Sequence, residues 1–202
     1  MKSVLISIQP KWCELIANGE KTVEVRKTKP KLEPPFKVYI YCTGGPPYLN
    51  SHNGYCYLEE RDVLGYRGTG LYCRLNNGVI GEFVCGNIDY LHVSHLVLEQ
   101  DAEIALRGTC LTKKEVEKYI GYEQGKNIWE KPYEFFGWHI SDLKIYDHPK
   151  KLSEIAKPDK CPYNNQGECT YDCHCYRAGQ TKRCGNYVER PPQSWCYVEG
   201  GE

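Results

Sequence analysis

The chain has 202 residues, with 26 Lys+Arg set against 26 Asp+Glu and 41% hydrophobic residues. That length predicts one domain of ordinary size with a proper core, and zero net charge excludes a polycation that coats nucleic acid over its whole surface. No stretch is apolar for long enough to cross a membrane, and the opening MKSVLISIQPKW is broken by Pro10 and Lys11 before it reaches signal-peptide length, so a cytoplasmic protein is expected.

Residues 2–8 (KSVLISI) read as a strand that enters a helix at Pro10, whose missing N–H is one a helix leaves unpaired anyway. Trp12, Leu15 and Ile16 recur at helical spacing and predict its apolar face, and Gly19 closes it. From Thr22 the period changes to two: Val23 and Val25 point one way, and Thr22, Glu24 and Arg26 the other. With Lys21 just before them, the second face gathers a hydroxyl, a carboxylate and two cations, and a basic loop runs on to Lys31. Residues 1–37 hold eight basic residues against four acids, a local excess that steers anions on a neutral molecule. A solvated Glu/Arg pair on an exposed strand face is the competing reading of this cluster.

Farther on, Lys37–Cys42 predicts a buried strand, and the Gly-, Tyr-, Asn- and Pro-rich stretch 43–70 an irregular insert. Leu71–Leu75 and Val79–Cys85 flank Asn76-Asn77-Gly78, the pattern of a hairpin, with Glu82 on the face of Ile80 and Val84. A carboxylate there needs a partner or a function. Residues 96–107 predict a helix anchored by Leu96, Ile104 and Leu106. A second begins at the Thr112/Glu115 capping box, carries a Val116, Tyr119, Ile120 stripe and stops at Gly121. The aromatic stretch 133–146 reads as a strand that places His139 on the polar side.

From Asp159 to Tyr187 there is no Val, Ile, Leu, Met, Phe or Trp. Such a segment cannot offset its ordering entropy by apolar burial. It carries Cys161, Cys169, Cys173, Cys175 and Cys184, with His174 among them, five thiols for the four places of a tetrahedral structural zinc. Reduced, unliganded thiols are the alternative.

The run Pro10, Ile16, Gly19, Lys21, Thr22, Glu24, Arg26 resembles the signature of the ASCH (activating-signal-cointegrator homology) family. VIGEF at 79–83, FGWHISDLKIYD at 136–147 and RPPQSWCYVE near the end are similar to further blocks of its prophage and Firmicute-type members. The resemblance covers about 1–42, 79–155 and 188–199. It implies an α+β fold, a PUA-like mixed β-barrel with flanking helices. The barrel would span 1–156, interrupted by the 43–70 insert; the Cys-rich segment 157–187, which the resemblance does not cover, reads as a zinc-binding insert from its cysteines. Residues 188–202 would supply a closing strand that carries Trp195 and Tyr197, and a tail.

The function the resemblance implies is binding of RNA or a modified nucleoside in a cleft between the first helix and the Lys21–Arg26 strand. Trp12 or Tyr41 would stack on a base, Lys21 and Arg26 would hold phosphate or carbonyl, Glu24 would read a base edge, and Thr22 and Lys27 would flank them. The alternative is a small amidohydrolase or ribonuclease in the same cleft. Lys21 matches the Lys of family members that act on N4-acetylcytidine, but their Thr position is Glu24 here and Thr22 is not its equivalent. Lys21, Glu24 and Glu82 are the catalytic candidates, with Glu103 a further acid. A third reading is a scaffold whose Cys-rich tail meets a protein partner. A monomer is expected, and charge reversal at Lys21 or Arg26 is expected to weaken binding without unfolding the chain.

Overall fold

The computed structural model describes residues 2–45, 48–52, 55–59, 72–123, 125–127, 133–157, 164–165, 168–169 and 187–200, with backbone alone for 51–52, 55–59, 72–73, 99, 164–165 and 168–169. In chain order it contains β1 (Lys2–Ile8), α1 (Pro10–Ala17), β2 (Val23–Arg26), β3 (Phe36–Cys42), β4 (Tyr48–His52), β5 (Tyr55–Glu59), β6 (Tyr72–Arg74) and β7 (Gly78–His92). The remainder is α2 (Glu99–Ala105), α3 (Lys113–Ile120), β8 (Glu134–Lys150), β9 (Asn164–Asn165), β10 (Glu168–Cys169) and β11 (Trp195–Glu199). The class is α+β, as expected.

Six strands form the main sheet in the order β11-β1-β3-β7-β8-β2. β1 and β3 run parallel, and every other pairing in that sheet is antiparallel. The inner face carries Val4, Ile6, Val38, Ile40, Phe83 and Trp138. The outer face is covered in two places. Around Val25 and Phe135 it meets α2 and α3 through Ala102, Val116 and Ile120. Around Leu5, Tyr39, Tyr41 and Val198 it meets Ile155 and Val188. Burial on both faces explains why β1 and β3 read as nearly continuous apolar runs.

Among the described residues the sheet does not close into a barrel by backbone pairing, and β2 and β11 are its two edges. Side chains cross the gap instead. Arg26 donates to the Ser7 carbonyl at 2.6 Å, Trp195 Nε1 donates to Thr28 Oγ1 at 3.0 Å, and the Lys31 N–H donates to the Tyr197 hydroxyl at 2.7 Å.

The stretch read as an irregular insert contains order: β4 pairs with β5 and β6 in a separate three-stranded sheet. The Asn-Gly turn is present, with Asn77 at φ 64°, but β6 and β7 do not form a hairpin. Asn76 captures the preceding chain, its Oδ1 accepting from the Leu49 N–H at 2.6 Å and its amide donating to Gly45 O at 2.9 Å. β7 then pairs with β3 and β8.

Of the predicted 96–107 helix the α-helical part is 99–105; Leu96, in the 3-10 turn before it, packs with Ala102 and Leu106, while Ile104 is 66% exposed. A bridge between Ala156 and Tyr187 brings together the two ends of the Cys-rich segment. Among the described residues no helix is long and apolar enough to cross a membrane.

Candidate functional site

Placement of the site begins at the end of α1. Gly19, at φ 77°, lets its N–H bond the Ile16 carbonyl while Glu20 N–H bonds Leu15 O, a Schellman closure that a residue with a Cβ would strain. The chain reverses into Lys21. Thr22 and Val23 N–H groups both donate to Gly108 O, at 2.8 and 2.9 Å, and Gly108 itself holds φ 75° with the Thr22 hydroxyl where its Cβ would lie. β2 is thus fixed on both sides, by the 108–109 loop and by β8.

The alternation along β2 separates the valines from the charges. Val25 reaches the helix-covered outer core, and Glu24 and Arg26, with part of Val25, line a cavity of about 660 Å³. The solvated reading fails here: Lys21, Glu24 and Arg26 are only 2%, 6% and 7% exposed. Glu24 lies 2.9 Å from Arg26 through one oxygen and 3.4 Å from Lys21 through the other. Lys21 also donates to Val23 O at 2.9 Å and Thr109 O at 2.5 Å, so its three N–H groups are all engaged. Burial pushes its ammonium pKa down, against the pull of Glu24. Arg26 Nε is buried and has no acceptor among the described residues.

With all three ionised, this floor carries one net positive charge. Glu115 at the rim is turned elsewhere. Its Oε2 accepts from the Thr112 N–H at 2.8 Å, its Oε1 lies 3.8 Å from Lys11, and the bond from Thr112 holds its carboxyl below the ordinary range.

Of the residues singled out from the sequence, Trp12, Lys21, Glu24 and Arg26 line this cavity. Trp12 is half-buried, with the Lys11 and Lys21 ammonium groups 4.5 and 5.4 Å from its ring. The fully buried residues of α1 are Pro10, Cys13 and Ile16, and Trp12 packs on the margin of the same core while forming a wall of the cavity. Thr22 and Lys27 are exposed and outside the lining. Tyr41 belongs to the outer-face core and cannot stack on a ligand here. Glu103 is exposed on α2.

Glu82 lies elsewhere because bulges between Val79 and Gly81 and between Glu82 and Val84 break the alternation of β7. Ile80 and Phe83 turn inward, and Glu82 turns out to Tyr146, whose hydroxyl donates to it at 2.6 Å, and to Lys37 at 3.6 Å. Burial opposes ionisation there, but these partners hold the carboxyl below its ordinary value. His139 pairs in register with Val23 on the outer face and meets Asp89 at 2.6 Å.

Among the lining residues that sequence reasoning missed are Gln9, Tyr119 of α3, and the strap Pro191–Ser194. Tyr119 was visible only as part of a helical stripe, yet it is 38% exposed and its hydroxyl sits by the Arg26 guanidinium. The strap is tied to β1 where Ser7 N–H donates to Ser194 O at 2.9 Å and Ser7 Oγ donates to Pro192 O at 2.7 Å. The proposed zinc ligands Cys161, Cys169, Cys173, Cys175 and Cys184 lie outside the residues whose side chains are described. Among the described residues no group of three or more His, Cys, Asp or Glu could hold a metal.

The ASCH domain family matches residues 6–133, more than half of the chain, and the chain belongs to that family. Two variant crystal structures of the ASCH protein from Zymomonas mobilis are similar in fold, each with a TM-score of 0.50. Their identities are 18% and 17%, and the matches cover 98% of this chain and 88% and 91% of theirs. No curated protein sequence matches the chain. β8 and β11, which complete the sheet, and the strap all lie beyond the matched residues.

Proposed function

We propose that the cavity binds RNA or a modified nucleoside, in an opened variant of the PUA-like barrel. The observation that carries this reading is the net-positive Lys21/Glu24/Arg26 floor buried beneath a cavity of about 660 Å³ with Trp12 and Tyr119 in its walls. That volume is within the range of small-ligand sites, which combine apolar walls with a few fixed polar groups. Arg26 Nε is the donor that a ligand oxygen would satisfy. Lys21, saturated by its own bonds, acts on the ligand through its field. Trp12 supplies a face for a base, and the Gln9 and Gln193 amides at the rim can both donate and accept along a base edge.

Catalysis in this cavity is the second reading, favoured by a buried Lys beside a carboxylate. It is the weaker one, because Lys21 has no N–H free and so serves as a fixed cation. The test is incubation with a panel of nucleosides and short RNAs, read for retention and for product by mass spectrometry. Retention without product is expected. Conversion that vanishes in Lys21→Met would make the protein an enzyme, and no retention of any probe would remove the binding reading.

The Cys-rich segment is proposed as a structural zinc site. The bridge at its neck and its lack of large apolar residues support a staple of this kind. Elemental analysis of the purified, reduced full chain is expected to return stoichiometric zinc; metal-free protein of unchanged stability would end that proposal.

A further inference from the structure

Between β2 and β3, Lys27, Lys29 and Lys31 alternate with Thr28 and Pro30. No acid lies between Val25 and Leu32. All three lysines are exposed and Pro30 is buried. None pairs with a carboxylate among the described residues. Three like charges on one short loop repel each other, and no carboxylate offsets that repulsion.

The loop is nevertheless held in place. Trp195 Nε1 fastens Thr28 at 3.0 Å and the Tyr197 hydroxyl fastens the Lys31 N–H at 2.7 Å. It therefore crosses the open seam of the sheet, leaving from Arg26 and reaching the strand that begins next to Ser194, both of which line the cavity. Aromatic faces accompany the cations. Lys27 Nζ lies 5.1 Å over Tyr119, itself part of the cavity wall. Lys29 Nζ lies 5.9 Å over Phe136, whose ring meets that of Tyr90 at 5.8 Å, and Tyr90 is 56% exposed.

We propose that this loop is a phosphate track, and that the occupant of the cavity is a segment of single-stranded RNA whose flanking backbone runs over Lys27, Lys29 and Lys31. The inference rests on the reading of the cavity as a nucleobase site and narrows it from a free nucleoside to a strand. The three lysines follow one another along a single short loop outside the strands, bent at Lys27 and Lys31, and a flexible sugar–phosphate backbone can follow such a row. Alternating cations and exposed rings are what sequence-tolerant single-strand binding requires.

The test compares wild type with the triple variant Lys27→Gln, Lys29→Gln, Lys31→Gln, using a fluorescent 12-nucleotide mixed-sequence RNA, DNA of the same sequence and free nucleosides. Circular dichroism confirms folding, which exposed positions preserve. Each lysine removed is expected to lower the salt slope of RNA binding by about 0.7. Wild type then loses roughly 20-fold more affinity than the variant between 50 and 200 mM salt, and nucleoside retention is the same for both.

An unchanged slope and affinity in the triple variant, with RNA binding lost in Trp12→Ala, would overturn the track and leave the cavity reading standing. No binding of any probe to wild type would overturn both. Equal affinity and slope for the DNA would overturn the assignment to RNA.

Discussion

Glu24→Gln is expected to destabilise the protein by about 3–5 kcal/mol, the cost of leaving buried charge without its partner. The replacement has the same shape, but Lys21 and Arg26 would then face each other at 2% and 7% exposure with no carboxylate between them. Lys21→Met is expected to be milder, because a neutral Glu24–Arg26 pair at 2.9 Å remains. The same burial corrects the sequence-based expectation that charge reversal here leaves the fold intact: a second carboxylate at position 21 would stand beside Glu24 with no solvent to screen it.

The pH dependence follows from the direction of the Lys21 shift. Its folded pKa lies below the ordinary 10.5. Between the folded and ordinary values the unfolded chain holds more protons, so this group's contribution to stability rises with pH in that window. Below the window the charged ammonium is a constant cost. Removing the pull of Glu24 lowers the folded pKa further and widens the window, so Glu24→Gln should recover stability relative to wild type between pH 7 and 10. Urea unfolding at the two pH values measures both effects; a variant as stable as wild type at pH 7 would show that the cluster is not held together by charge.

Trp12→Ala is expected to weaken binding of a retained RNA or nucleoside by about 1–3 kcal/mol, the cost of removing one stacking face, or roughly 5- to 150-fold in Kd. Trp12 is half-buried and packs on the margin of the inner core, whose fully buried α1 residues are Pro10, Cys13 and Ile16, so the variant is expected to fold with reduced stability. The two substitutions thus differ in kind. Glu24→Gln acts first on the fold, and Trp12→Ala first on the ligand. Fluorescence titration beside thermal unfolding distinguishes them, and a Trp12→Ala protein of full affinity would remove stacking on this wall.

The parts of this site that could be read from the sequence are those set by local periodicity. The change from helical to alternating spacing at Thr22 marks the start of the strand that sends Val25 into the outer core and carries Glu24 and Arg26 to the cavity, and the Thr112/Glu115 capping box is where its pattern indicates. What local pattern cannot carry is pairing over distance. The Asn-Gly turn forms, yet β6 joins β4 because Asn76 holds Leu49 and Gly45.

Bulges have the same effect within one strand. Glu82 shares a period with Ile80 only if β7 is regular, and two bulges turn it to Tyr146 on the other face. Tyr119 belongs to a stripe wide enough to serve both the core and the cavity, and spacing does not say which residue turns outward. The strap is farther from Ser7 in sequence than any local signal reaches, at a separation of 185 residues for the bond to Pro192. Burial of the charged cluster was illegible for a related reason. β2 looks solvated until α3, the 108–109 loop and the strap close around it.

The most direct test of the cavity as a nucleobase site is photocrosslinking of the full chain to a short RNA carrying 4-thiouridine, with the crosslinked peptides identified by mass spectrometry. The account predicts crosslinks in the peptides that contain Trp12 and Tyr119. Crosslinks confined to the opposite region around Glu82 and Tyr146, or to the Cys-rich segment, would contradict it.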